Sequence, residues 1–308
     1  MISILGPTAT GKTQLAAQLA YRTGAEIISA DSRQVYRGMN LGTGKDYEDY
    51  MVKGQRMDCH LIDIAEPGTE YNVFNFRQDF QKAYDSIMNK NKPVILCGGT
   101  GMYLEAVLKA YRLTEVPANK LLRQELEVKT QQELNTILLS YGKQHNNSDL
   151  TDKARTIRAI EIKKYMLENP EQNAQPPHIG CCIFGIYYER ETIRKRITER
   201  LKQRLSNGLT EEVRDLINNG LSPERLIRYG LEYKYITLYI INRLTYDEMF
   251  TLLNIAIHQF AKRQMTWFRR MERQGMKIHW IDGEMIMEKK LEMIEKEYRM
   301  WKTENRNF

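Results

Sequence analysis

The sequence predicts an α/β protein in which a parallel sheet is flanked by helices and carries an inserted helical domain. Three observations support that expectation. The stretch Gly6-Pro7-Thr8-Ala9-Thr10-Gly11-Lys12-Thr13 fits G-x-x-x-x-G-K-[ST] in full and directly follows the apolar run Met1-Ile2-Ser3-Ile4-Leu5. Apolar strand-like runs then alternate with amphipathic ones, as parallel strands joined by crossover helices require. From about Leu113 the strand-like runs cease, and they resume only near residue 180.

In chain order, the first strand feeds the loop 6–13, and a helix follows from Lys12 to about Arg22, its inward face carrying Leu15 and Leu19. Strand plus loop makes the core P-loop NTPase-like. Residues 25–30 form the second strand and deliver Asp31 to Tyr36 at its carboxyl end, the edge of an open α/β sheet where ligands bind. Asp58 to Ile64 reads as a third strand, Phe74 to Asn89 as a helix, and Lys92 to Cys97 as a fourth strand running into Gly98-Gly99-Thr100-Gly101. Pro117 interrupts the pattern, and helical segments follow at 119–142 and 152–168. The Pro-containing link Asn169 to Pro177 closes this insertion, so the expected division is a core of residues 1–112 and 178–308 and an inserted domain of 113–177. A fifth strand at 180–188, helices at 190–206, 209–219 and 245–272, a short strand at 277–281 and a charged helix at 284–303 complete the chain.

With 308 residues, 42% of them hydrophobic and 28% charged, the chain can bury a sizeable core. It has no apolar run near the ~18 residues of a membrane span and no signal-peptide pattern, so a cytoplasmic protein is expected. Cys59, Cys97, Cys181 and Cys182 lie mostly in apolar runs without a C-x-x-C pair, which favours buried thiols over disulfides or zinc. The histidines at 60, 145, 178, 258 and 279 show no metal-ligand spacing. A formal charge of +7 allows a polyanionic partner, although solvated basic helices give the same total.

Residues 6–13 bring the chemistry of a phosphate cradle: the backbone N–H groups and the positive end of the following helix face phosphate oxygens, Lys12 reaches the terminal phosphate, and the Thr13 hydroxyl holds Mg2+. The loop is of the ATP-binding type and serves a nucleotide or another diphosphate equally well. Asp31 faces the same crevice. It can accept a proton or bind Mg2+ through water, and it can equally cap a helix. Gly99-Thr100 places a hydroxyl on the same rim. Arg196, Arg200 and Arg204 share one helix face, which suits either phosphate binding or solvation. Residues 261–270 (AKRQMTWFRR) interleave Lys262, Arg263 and Arg269 with Trp267 and Phe268, which suits either an RNA surface that stacks a base or a core face with only the cations exposed. Arg155 and Arg158 make a further basic patch.

Taken together, GPTATGKT (6–13), ADSRQVYRGMNLGTGK (30–45), HLID (60–63), GGTGMYLEAVL (98–108), DKARTIRAIEI (152–162), RLSNGLTEEVRDL (204–216) and AKRQMTWFR (261–269) resemble the tRNA dimethylallyltransferases, in that family's order and across most of the chain. The resemblance implies transfer of a prenyl group from dimethylallyl diphosphate to N6 of adenosine 37 in the tRNA anticodon stem-loop. It implies that Asp31 is the general base toward the adenine amine and that Thr100 contacts the reacting nucleotide and diphosphate. It further implies that residues 6–13 hold the diphosphate and that Asp31, Ser32, Arg33, Gln34 and residues 155–159 contact tRNA, with Arg123 near another contact. Where the family has Gly-Tyr-Lys/Arg, this chain reads Glu232-Tyr233-Lys234, which leaves a diphosphate role for Lys234 open.

Such a reaction needs no nucleotide hydrolysis, because loop amides, Lys12 and Mg2+ can take the charge of the leaving diphosphate. It does need the base extruded from its stack, with the insertion and the basic helices expected to clamp the stem. A monomer is expected. Rival readings are an adenylate isopentenyltransferase acting on free nucleotide, a P-loop small-molecule kinase, and a non-enzymatic RNA-binding NTPase switch.

Overall fold

The computed structural model describes residues 1–142, 150–170 and 176–305. Residues 171–175 of the expected link, and His145, lie outside the described residues. The chain divides into two units, Met1–Lys109 with His178–Phe308, and Ala110–Pro177.

In the first unit, β1 (Ile2–Leu5), α1 (Lys12–Thr23) and β2 (Glu26–Ala30) are followed by a 3₁₀ turn (Tyr47–Tyr50), a small hairpin of β3 (Met51–Val52) and β4 (Gln55–Arg56), and then β5 (Cys59–His60). Next come α2 (Val73–Asn89), β6 (Val94–Gly98) and α3 (Gly101–Leu108). The second unit contributes α4 (Lys120–Glu127), α5 (Gln131–Ser140) and α6 (Lys153–Glu168), packed on Leu122, Leu126, Leu134, Leu138, Ile157 and Ile160. The first unit resumes with β7 (Cys182–Tyr187), α7 (Arg190–Ser206), α8 (Leu209–Asn218), α9 (Pro223–Leu226), α10 (Leu231–Ile240), α11 (Tyr246–Arg273), β8 (Ile278–Asp282) and α12 (Met287–Glu304).

Six strands form one parallel sheet in the order β5-β2-β6-β1-β7-β8. Successive strand residues face opposite sides. Ile2, Ile4 and Ile27 therefore pack with Leu15, Leu19 and Ile294 from α1 and α12, while Leu5, Ile28 and Leu96 pack with Phe76 and Phe80 of α2, Leu104 of α3 and Phe268 of α11. Both faces are covered, which is why the strands read as continuous apolar runs. The fold class is the one the sequence predicts.

Several elements differ from expectation, among them the unexpected hairpin β3–β4 and the short helix α9. The third strand is two residues long instead of 58–64, because Leu61 and Asp63 take positive φ (63° and 55°) and end the extended backbone. The helix expected over 119–142 is two helices. Thr130 caps α5 through a reciprocal capping box with Glu133, and a new helix start cannot sit inside an old one. Helices α3 and α10 escaped the periodicity argument, since a helix buried on most sides shows little amphipathic contrast.

At the start of β2, buried Glu26 accepts from Lys92 Nζ (2.7 Å), Lys90 Nζ (3.0 Å) and His60 Nε2 (2.7 Å). Burial alone would raise its carboxyl, but Lys92, His60 and Lys90 hold it down at about 2 against a reference of 4.5. A depressed folded value contributes stability that is complete above the unfolded value and is lost as pH falls through the folded one. Melting curves should therefore show wild type more stable than Glu26→Gln by on the order of 3 kcal/mol at neutral pH. The gap should close as pH falls from about 4.5 toward 2, and a gap independent of pH would refute the assignment.

Candidate active site

Three loops meet at the carboxyl edge of the sheet because three strands end level. Leu5 pairs with Gly98, and Gly98 pairs with Ala30, so the chain leaves β1 at Gly6, β6 at Gly99 and β2 at Asp31 from the same height. A Cβ on Gly98 would lie 2.2 Å from the Ala30 carbonyl oxygen, so only glycine permits this close approach.

The loop 6–13 wraps as its motif requires. Gly11 (φ 75°) and Ala9 (φ 64°) take left-handed backbone, and Gly11 caps α1. The Pro7 carbonyl accepts from the Thr10 hydroxyl (2.9 Å) and from Lys12 Nζ (3.3 Å), closing the loop on itself. Burial pushes the Lys12 ammonium below the ordinary lysine value, which favours a counter-anion beside it. Among the described residues, the amides of residues 9–13 donate to no protein acceptor, the arrangement of a helix start that receives an anion. The Thr8 amide differs, since it donates to Gln264 Oε1 (2.9 Å).

Asp31 does two things. Its Oδ1 accepts from the Arg33 amide (2.9 Å) and the Gln34 amide (3.4 Å), so it caps the turn 32–35 and not the helix that the capping alternative expects. Its Oδ2 has no hydrogen-bond partner among the described residues, and Asp31 lines a cavity of about 320 Å³ together with Lys12, Thr13 and Thr100. The Thr100 hydroxyl accepts from the Ser32 amide (3.0 Å), which ties the β6 loop to the β2 loop. Arg33 and Gln34 line the same cavity, with Leu231, Ile257 and Phe260 giving one wall an apolar character.

Cations surround the loop. The arginine face of α7 meets the loop: Arg196, though exposed, donates from Nε to the Ala9 carbonyl (3.0 Å), and Arg200 reaches both the Thr8 hydroxyl (3.4 Å) and Asp46 (2.5 Å). Arg204, 9% exposed, also pairs with Asp46 (3.2 Å). Burial alone would raise the Asp46 carboxyl, but Arg204 and Arg200 hold it below the usual value. A second cavity of about 310 Å³, on the outer side of the loop, is lined by Gly11, Thr13, Asp46 and Asp49 among others. Among the described residues no group of three or more His, Cys, Asp or Glu could hold a metal ion.

The basic surface on α11 splits as its second reading predicts. Lys262, Arg263 and Arg269 are exposed, and Arg263 stands at the mouth of the larger cavity. Phe268 is fully buried and cannot stack a base, which corrects that expectation. Trp267 lies against Gly101, where a Cβ would meet its ring at 2.4 Å, and beneath the Arg270 guanidinium (4.1 Å). The aromatics that line the cavity are Phe260, one residue before the basic segment, and Tyr50. In the second unit Arg155 is exposed, whereas Arg158 and Arg123 (2.8 Å) both pair with buried Glu161. Lys234 stands over the Tyr235 ring (5.2 Å), and Glu232 lines the cavity instead. Burial pushes the Glu232 carboxyl up, against the pull of Arg204.

Gln264 went unremarked in the sequence, although it sits in the middle of the basic segment. It is buried, takes the Thr8 amide on Oε1 and donates from Nε2 to the Gly99 carbonyl (2.9 Å), so one side chain spans two of the three loops. Gln264→Leu would leave both backbone groups without a partner. Denaturant titration should show a loss on the order of 2–4 kcal/mol, and a loss below about 0.5 kcal/mol would contradict the bridge.

Among the described residues no helix is long and apolar enough to cross a membrane. The chain is 56% identical over 294 residues to a tRNA dimethylallyltransferase 2 of Phocaeicola vulgatus, covering 96% of each chain. It is 54% identical over 299 residues to one of Bacteroides fragilis, covering 97% of this chain and 98% of the other. Among solved structures, a full-length tRNA isopentenylpyrophosphate transferase from Bacillus halodurans superposes with a TM-score of 0.72 at 29% identity, over 98% of this chain and 96% of that one. The family model described as IPP transferase matches residues 34–271, and with near-complete relatives at these identities the chain belongs to the IPP transferase family.

Proposed function

We propose that this chain transfers a dimethylallyl group from dimethylallyl diphosphate to N6 of adenosine 37 in tRNA, with Asp31 as general base. The observation that carries this reading is the convergence of a carboxylate, a hydroxyl and a phosphate loop on one cavity at the level ends of β2, β6 and β1. Family membership adds the reaction class.

In the step itself, N6 forms a bond to C1 of the prenyl group while the C1–O bond breaks and the diphosphate leaves with the electron pair. The N6 proton passes to Asp31. An exocyclic amine is a weak nucleophile, so removing that proton as the bond forms has a definite effect. Asp31 suits the task because its Oδ1 is fixed by the 32–35 turn, which aims Oδ2. Lys12, the amides of residues 9–13 and Arg200 receive the charge that gathers on the leaving group. Leu231, Ile257 and Phe260 offer the apolar wall that a prenyl tail needs.

Thr13 fits Mg2+ in kind, since its hydroxyl shares the outer cavity with the oxygen ligands Asp46 and Asp49. The described side chains do not form a metal cage of their own, so diphosphate oxygens must supply most of the coordination. When bound, Mg2+ would neutralise the leaving diphosphate. Exposed Lys262, Arg263 and Arg269 on α11 give tRNA phosphates a row of cations ending at the cavity mouth, and Ser32, Arg33 and Gln34 meet the nucleotide beside Asp31. The chain would act as a monomer in the cytoplasm, where tRNA is.

Radiolabelled dimethylallyl diphosphate incubated with an anticodon stem-loop should label the RNA without ATP. Hydrolysis of ATP with no labelling would favour a kinase or a switch, and labelling of free AMP instead of the stem-loop would favour the free-nucleotide enzyme. Asp31→Asn should lower transfer by roughly 10²–10⁴ with stem-loop affinity retained. Activity within a few-fold of wild type would reduce Asp31 to a turn cap.

Neutralising Lys262, Arg263 or Arg269 should flatten the salt dependence of stem-loop binding by about one unit of slope at most, with melting unchanged. Arg158→Ala should instead lower stability, since Arg123 and Arg158 hold the Glu161 carboxyl at about 2 against the pull of burial. Unchanged slopes in all three α11 variants would remove α11 from the tRNA surface.

A further inference from the structure

One part of the wall of the cavity that holds Asp31 and Lys12 is a stretch of irregular chain, residues 40–45, that contributes Gly42, Thr43 and Gly44 to the lining. Irregular backbone keeps one shape only when its polar groups are fixed; here the amides of residues 43–45 bond back to the Asn40 and Leu41 carbonyls, and one carboxylate fixes the three amides before them. Glu212, in the first turns of α8, accepts from the amides of Asn40 (3.0 Å) and Leu41 (2.7 Å) on Oε2, and from the amide of Gly42 (3.1 Å) and the Tyr233 hydroxyl (2.7 Å) on Oε1. Three consecutive N–H groups thus converge on one anion, the geometry of a backbone nest filled by a side chain. Gly42 closes the arrangement from the other side. A Cβ there would lie 2.5 Å from the ring of Tyr233, which is 1% exposed and cannot retreat.

The loop in turn holds the reacting carboxylate. The Gly44 carbonyl accepts from Gln34 Nε2 (3.0 Å), and the Gln34 amide belongs to the turn capped by Asp31. At its far end the loop is anchored by Lys45, whose buried ammonium donates to the Tyr36 carbonyl and pairs with Asp63, and it runs on to Asp46 between Arg200 and Arg204. A shift of residues 40–42 therefore reaches both the Asp31 turn and the arginines beside the phosphate loop.

We infer that Glu212 is a positioning residue for prenyl transfer: its carboxylate sets residues 40–45 as the cavity wall and through them fixes the Asp31 turn. This inference rests on the proposed reaction. Charge and shape are both required. A glutamine side chain would offer one acceptor and one donor to a ring of donors, so Glu212→Gln must release at least one amide. An aspartate keeps two acceptors at a shorter reach.

The test is steady-state prenyl transfer by the full chain to an anticodon stem-loop, with melting curves and hydrogen exchange of residues 40–42 measured on each variant. Glu212→Gln should lower kcat by about 10- to 100-fold, as sub-ångström misplacement of a reacting group can. KM for dimethylallyl diphosphate should stay within about threefold, because loop 6–13 keeps its own contacts. Exchange at Asn40, Leu41 and Gly42 should speed up. Glu212→Asp should recover most of kcat, and Tyr233→Phe, which removes one donor and leaves the nest, should stay near wild type. Should Glu212→Gln fail to fold, Gly42→Ala disturbs the same wall from the tyrosine side and should reproduce the kcat loss.

Loss of kcat that follows melting temperature equally in the Gln and Asp variants would reduce Glu212 to a structural residue. An active wild type with an equally active, folded Glu212→Gln overturns this role and leaves the reaction standing. A wild-type chain that prenylates no RNA overturns both.

Discussion

Everything in the active site depends on the register of three neighbouring parallel strands. Leu5, Gly98 and Ala30 lie side by side, and the backbones of β6 and β2 come so close at Gly98 that no side chain fits between them. Parallel pairing fixes the height at which each strand ends, and the order β2-β6-β1 makes those ends adjacent. A phosphate loop, a carboxylate and a hydroxyl from residues 6–13, 31 and 100 then share one crevice. Local loop sequence supplies the chemistry, while the distance between the groups comes from the sheet.

A second layer holds the loops once the sheet has delivered them. Gln264 of α11 bridges the Thr8 amide and the Gly99 carbonyl, Thr100 takes the Ser32 amide, and Arg196 of α7 holds the Ala9 carbonyl. These are buried or half-buried contacts to backbone, so each loop depends on a segment far away in sequence. The charges follow the same plan. Lys12, Arg200 and Arg204 crowd one region, and Asp46 offsets part of that charge within the protein. Cations placed beside unpaired loop amides suit an anion.

The parts of this arrangement written in short contiguous stretches were legible in the sequence. The strand-loop-helix at 2–23, the Asp31 turn, the Gly99-Thr100 turn and the sheet with its helical insertion all follow from periodicity and turn chemistry. What could not be read depends on contacts between distant segments. The i, i+4 spacing of Arg196, Arg200 and Arg204 showed a shared face but not that the face packs on the phosphate loop. Gln264 and Glu212 look like ordinary polar helix residues until their backbone partners, more than 160 positions away, are known. Phe268 was ambiguous for a simpler reason: a helix rich in both cations and aromatics has the same pattern whether its aromatics face solvent or core. The true end of the third strand, set by positive φ at Leu61 and Asp63, lies in a run whose composition favours extension.

The central claim is that the three loops meet around one reacting atom, with Asp31 positioned to take its proton. A crystal structure of the chain with an anticodon stem-loop and an unreactive thio analogue of dimethylallyl diphosphate would measure this directly. The account predicts the diphosphate on the amides of residues 9–13 with Lys12, the extruded adenine in the cavity beside Thr100, and Asp31 Oδ2 within about 2.6–3.2 Å of N6. An adenine amine facing away from Asp31, or a diphosphate held elsewhere than loop 6–13, would contradict it.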